Sequence, residues 1–169
     1  VDVIAVHGSY LFVLEVKSTF LRRSQREAWI HAATTLRNAG QQVRRKVEAV
    51  LQAIDSDPLF RELLGLTAAQ PPTHHHGWIV DTSIECDHQR FAGYLKLSLE
   101  ELLIALRDDR HLLNDPGGLL AGLHEPNKSD EPEAAQRAWT LYPFGFSVAR
   151  FVEVIETAAV WDQTARNQI

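Results

Sequence analysis

The sequence predicts an α/β fold: an α+β sandwich with a mixed central sheet flanked by helices. Three observations predict it. Residues 1–17, VDVIAVHGSYLFVLEVK, are almost unbroken Val, Ile, Leu and Phe around one Gly-Ser pair. Two stretches with apolar residues at three- and four-residue spacing follow. Two further apolar runs, 78–84 and 92–97, then lead into another helical pattern.

The first run reads as a β-hairpin, because Gly8 at the first central position suits a type II′ turn. Apolar residues on both faces of each arm imply central strands covered on two sides. With a two-residue loop His7 pairs with Tyr10, and counting outwards sets Asp2 opposite Glu15. Ser24-Gln25-Arg26-Glu27 is a capping-box pattern that opens a helix over 24–39, with Trp29, Ala32, Ala33 and Leu36 at helical spacing and Gly40 ending the run. A second helix over 41–54 carries Val43, Val47, Val50, Leu51 and Ile54 on one stripe. Leu59, Leu63 and Leu64 mark a short amphipathic piece. Pro71-Pro72 and His74-His75-His76 then read as an exposed linker.

Trp78 to Ile84 and Ala92 to Leu97 read as strands. Ser98 and Glu101 form a second capping box, before a helix with Leu99, Leu102, Leu103 and Leu106 inward. Residues 108–133 are rich in Asp, Pro and Gly and read as a linker. A last helix over 147–160 turns Val148, Phe151, Val152, Ile155 and Ala159 inward. The expected organisation is a core over 1–107, the linker 108–133, and a C-terminal helical extension over 134–169.

Composition narrows the function classes. In 169 residues, 45% hydrophobic and 23% charged content excludes general disorder. No apolar run approaches the ~18 residues of a membrane span. Cys86 is the single cysteine, which excludes a disulfide scaffold and a multi-cysteine zinc site. It fits a reducing compartment, so a cytoplasmic protein is the expectation. Val1 already stands in a strand, so the chain reads as an excerpt, with the remainder of a longer polypeptide upstream. The net charge of −5 excludes a generic polyanion binder, yet residues 17–46 hold eight basic side chains against Glu27 alone. That stretch is either a solvated helical face or a local phosphate-binding surface.

The hairpin register gathers Asp2, Glu15 and Lys17 on one face at its open end. Directly opposed like charges destabilise a sheet. Two carboxylates ~5 Å apart repel by about 3 kcal/mol at an effective dielectric near 20. Lys17 and a divalent cation offer compensation, and hard oxygen ligands suit magnesium or manganese. A metal on two carboxylates activates water and holds a phosphoryl oxygen, with an ammonium at hand to stabilise charge. The reaction that follows is phosphodiester hydrolysis.

These residues resemble the PD-(D/E)XK nuclease superfamily. The matching pieces are Asp2 in VDVIAV and Glu15-Val16-Lys17 in LFVLEVKST, over roughly residues 1–106. The resemblance implies a restriction-endonuclease-like αβββαβ core lacking its first helix. It implies Asp2, Glu15 and the Val16 carbonyl as metal ligands, Lys17 as the catalytic lysine, and a glutamine on the following helix. Gln42 is favoured over Gln41, because it sits at the flank of the apolar stripe one turn before Lys46. The helix over 24–39 is then an insertion, and Val1 stands where the motif has proline. Arg44, Arg45 and Lys46 are the expected contacts to a nucleic-acid backbone, DNA favoured over RNA. The alternative is a non-catalytic nucleic-acid-binding or scaffold module of the same fold, or an interaction domain without a nucleic-acid role.

The remaining candidates read as structural: the histidine run, Cys86 at a strand end, His7 beside its turn, and His31 on the helix surface. Trp29, Trp78, Trp139 and Trp161 read as core or interface aromatics. Tyr142 to Phe146 reads as an exposed apolar segment.

Overall fold

The structure, a computed structural model, describes residues 2–18, 22–67, 71–108 and 140–161. It is a mixed α/β fold with a five-stranded mixed sheet. The chain forms two compact units, Val1–Leu99 and Glu100–Ile169. The division falls after the first residue of the helix that follows the last strand, whereas the sequence reading puts its break after 107. The expected linker, Asp108 apart, lies outside the described residues, as does Trp139.

Strands β1 (Asp2–His7) and β2 (Tyr10–Lys17) form the hairpin in the expected register, with His7 opposite Tyr10 and Asp2 opposite Glu15. Gly8 has φ 56° while Ser9 keeps a negative φ, the pattern of a type II′ rather than a type I′ turn. Contrary to expectation, β1 is an edge strand, not a central one: the order is β1-β2-β3-β5-β4. Val3 and Ile4 are accordingly exposed. An apolar sequence cannot itself tell an edge from a centre, because the neighbour decides.

The helical run is continuous over 25–56, where the sequence suggests two separate helices. It consists of α1 (Gln25–His31), a π-helical segment (Ala32–Leu36) and α2 (Arg37–Ser56). The Ser24 hydroxyl caps α1 by accepting from the Glu27 N–H. Residues five apart lie about 140° apart on an α-helix, but i→i+5 bonding brings them nearly into line. The wider turn thereby lets both His31 and Leu36 be buried. Gly40 does not end the helix. A Cβ there would lie 2.3 Å from the Phe91 carbonyl oxygen, so glycine admits the backbone of a neighbouring strand rather than a turn.

A short helix, α3 (Pro58–Leu63), capped by Asp57, precedes β3 (His74–Asp81). The three histidines are strand residues, not a linker. The Thr73 and His74 N–H groups both donate to the Ser9 carbonyl and start the β2–β3 ladder. The His74 ring stacks on Tyr10 at 4.6 Å between centroids, and His76 on Phe12 at 5.6 Å. β3 runs parallel to β2, as the helical crossover between them demands. The following strand begins later than expected. Ala92 and Gly93 both have positive φ and turn the chain between β4 (Arg90–Phe91) and β5 (Tyr94–Ser98).

Leu36, Ala39 and Val43 of the helical run pack on Ile79 of β3, and Val50 and Ile54 pack on Leu11 and Val13 of β2. The run therefore covers the sheet face that also bears Asp2, Glu15 and Lys17.

α4 (Leu99–Arg107), in the second unit from Glu100 on, buries Glu101, Leu102, Ile104 and Ala105, whereas Leu103 and Leu106 are exposed, so its inward face is rotated from the expected one. The Asp108 carboxylate accepts from the Leu141 N–H at 2.8 Å. Burial pushes the Tyr142 hydroxyl up to about 12. α5 (Val148–Glu156) buries Phe151, Val154 and Ile155, with Val154 in place of the expected Val152.

Gly40→Ala should lower stability by about 1–3 kcal/mol in urea denaturation, because the clash is with fixed backbone. Helix propensity alone would raise it by about 1 kcal/mol, so the sign separates the two accounts.

Candidate active site

Five side chains from three elements meet at the open end of the hairpin. Asp2 comes from β1, Glu15 and Lys17 from β2, and Gln42 and Lys46 from one flank of α2. Strand residues two apart share a face, which aligns Glu15 with Lys17, and the register adds Asp2. Residues four apart share a helix flank, which aligns Gln42 with Lys46.

Lys17 Nζ donates to Glu15 Oε1 at 2.5 Å and to Gln42 Oε1 at 2.8 Å. Lys46 Nζ bridges the two carboxylates, lying 2.6 Å from Asp2 Oδ2 and in a short contact with Glu15 Oε2. The Glu15 side chain is 4% exposed and that of Asp2 45%. Two carboxylates and two ammonium groups make the cluster formally neutral.

Hydrogen bonding from the Lys46 ammonium holds the Asp2 carboxyl below the usual carboxylate range. Burial works against the Lys46 charge, but its hydrogen bonds to Asp2 and Glu15 outweigh that and raise its pKa.

The other expected residues fall in different places. Val16 lies between Glu15 and Lys17 with its side chain on the opposite sheet face, as alternation requires. Arg44 leaves α2 on the flank away from Gln42 and donates to the Ala92 carbonyl at 3.2 Å, beside the far edge strand. Arg45 is exposed on the solvent side of the helix. The structure therefore does not bring Arg44 and Arg45 to the cluster. Lys46, expected on a phosphate-facing surface, instead sits within it.

A second polar network adjoins the first. Asp81, the register partner of Lys17, is fully buried. His31 Nε2 lies 2.9 Å from its Oδ2, and the Ser83 hydroxyl donates to the same oxygen at 2.9 Å. Arg22 donates to Ser83 and, at 2.8 Å from its Nε, to Glu85, whose carboxyl it holds below its usual range. The buried Lys96 ammonium donates to the Ser83 carbonyl and to Asp87. Desolvation raises the Asp87 pKa.

His31 is thus a buried partner of Asp81, not a surface histidine. The apolar strand GWIVD ending in an acid was the available signal for Asp81. Nothing in the sequence signals His31, whose inward turn depends on the π segment. Cys86 packs beside the Leu36–Val43 cluster from a turn in which it has φ 62°, not from a strand end.

Among the described residues, no group of three or more His, Cys, Asp or Glu side chains is placed to hold a metal ion. The fit therefore rests on the pair. Asp2 Oδ2 and Glu15 Oε2 already converge on one cation, the Lys46 ammonium. Two such oxygens suit magnesium, which usually keeps several waters and takes only one or two carboxylates. A cavity of about 680 Å³ near Val6, Ser9, Leu66 and Thr73 lies at the turn end of the hairpin, and no titratable side chain among the described residues lines it.

Comparison with models of known protein families, with curated proteins and with solved structures finds no match in any of the three. None of the described helices is long and apolar enough to cross a membrane.

The shifts at Asp2 and Lys46 set a pH window. Asp2, with its folded pKa lowered, stabilises the fold above its unfolded value and loses that contribution as the pH falls below about 4. Lys46, with its folded pKa raised, stabilises below its unfolded value near 10 and loses that contribution at higher pH. Lys46→Met should therefore flatten both flanks of the stability profile, read as urea midpoints from pH 3 to 11.

Proposed function

We propose that the chain is a magnesium-dependent nuclease domain of the PD-(D/E)XK type, a hydrolase of phosphodiester bonds with DNA as the favoured substrate. One observation carries this reading: the expected pair of carboxylates, the lysine two residues on, and a glutamine from the crossover helix share one cluster. An antiparallel hairpin, a helical crossover and a parallel third strand support the core that the resemblance implies.

Asp2 and Glu15 would hold the metal, with the Val16 carbonyl as a further oxygen. When bound, magnesium would lower the pKa of a water and neutralise charge on the phosphoryl oxygens. Glu15 and Gln42 fix the Lys17 ammonium between strand and helix, poised for the attacking water or the strained phosphate. Gln42 acts by orienting Lys17. Lys46, once freed from the carboxylates, has a phosphate as its natural counterion.

A second reading, a non-catalytic nucleic-acid-binding or scaffold module, is favoured by the neutrality of the cluster: Lys17 and Lys46 already balance both carboxylates. Magnesium calorimetry separates the two. The nuclease reading expects saturable binding, lost in Asp2→Asn and Glu15→Gln and strengthened roughly tenfold, or about 1.4 kcal/mol, in Lys46→Met. The module reading expects no saturable heat in any of them.

Cleavage is the direct measurement. The protein should cut DNA in magnesium and not in EDTA, with Glu15→Ala and Lys17→Ala slower by at least about a hundredfold. Cutting by both variants at the parent rate would sink the mechanism.

A further inference from the structure

We infer that Trp29 is a stacking platform for an unpaired nucleobase, so that the substrate is single-stranded or locally unpaired nucleic acid; this rests on the nuclease reading. Trp29 is 70% exposed, in contrast to Trp78, which is 2% exposed in the core. Sequence reasoning assigns both to packing. Among the described tryptophans Trp29 alone is exposed, so its ring face is open to a partner from solution.

The position of α1 names the partner. His31 binds Asp81, and Asp81 is the register partner of Lys17, so α1 is pinned beside the strand end that carries the lysine. Arg22, just before the helix, anchors the same end through Ser83 and Glu85. Two positions from His31, and about 200° around the helix, Trp29 points away from the sheet. Exposed Arg26 is its neighbour three residues back, with exposed Arg23 preceding the helix.

An open aromatic face among guanidinium groups matches a strand of nucleic acid, whose bases stack while its phosphates pair with the cations. Among the described residues of this stretch, Ile30 is the other exposed large hydrophobic, beside exposed Arg23, Gln25, Arg26 and Glu27. A base pair within an intact duplex offers no free ring face, so the indole selects unpaired bases.

The test is equilibrium binding in EDTA to a labelled oligothymidylate of about fifteen nucleotides, and to a duplex of the same length, with intrinsic tryptophan fluorescence recorded in parallel. The parent should bind the single strand with quenching. Trp29→Phe should keep the affinity within about twofold and lose most of the quench, whereas Trp29→Ala should weaken single-strand binding roughly five- to hundredfold. The preference for single over double strand should fall by a similar factor in Trp29→Ala. Circular dichroism melts of both variants should match the parent, because the side chain is exposed.

Unchanged single-strand affinity in Trp29→Ala overturns the inference. So do an equal loss on both substrates, no binding by the parent, or a change of oligomeric state in Trp29→Ala without a change in affinity. The two readings fail separately. Magnesium-dependent cutting with Trp29 indifferent to single strands removes the inference alone, whereas quenching and binding without any cutting removes the nuclease reading alone.

Discussion

Mutual repulsion of Asp2 and Glu15 is the constraint around which the first unit is organised. The hairpin register leaves them no choice but to face each other, one of them almost fully buried. About 3 kcal/mol of repulsion at such a separation has to be offset from nearby. Lys17 supplies one positive charge from the same strand, but it reaches Glu15 and not Asp2 in the contacts described. The second charge comes from the helix. For Lys46 to span both carboxylates, α2 must lie across the hairpin with that flank turned to its open end. The same placement brings in Gln42, one helical turn earlier. Helix docking and site assembly are therefore one event, with Val43, Val50 and Ile54 supplying the apolar contact.

Much of this was legible in the chain. Gly8-Ser9 defines a two-residue loop, and parity alone then carries Asp2 to Glu15. The wheel that selects Gln42 over Gln41 works because α2 is regular where Gln42 sits. Legibility fails wherever a residue answers to a distant partner. Gly40 reads as a helix end, yet its lack of a Cβ serves the approach of Phe91 from β4. Lys46 reads as a surface cation, yet its counterions lie thirty-one and forty-four positions earlier. The π segment has no strong mark of its own in Ala-Ala-Thr-Thr-Leu, and without it His31 reads as exposed. The histidine run reads as a linker because the stacking partners of His74 and His76, Tyr10 and Phe12, belong to a different strand.

The buried network around Asp81 adds rigidity beside the cluster. A fully buried carboxylate is tolerable only when it is hydrogen-bonded and paired, and here His31 and Ser83 both bond Oδ2 with the Arg22 guanidinium 3.7 Å away. Lys96, also fully buried, is held by the Ser83 carbonyl and by Asp87, so Ser83 joins both halves of the network. Polar groups packed this tightly fix the entry of α1 onto the sheet, which in turn fixes where the exposed indole stands.

The two-residue turn at Gly8 has a further meaning for sequence change in this protein. It acts as a gauge whose setting is read a full strand length away. Adding or deleting a single residue there would invert the parity of one arm, throwing Asp2 to the side of the sheet that Val16 now faces, without touching any charged group. Length variation at this bend, normally the most permissive kind in a protein, is thus tied to chemistry at the opposite end of the ribbon.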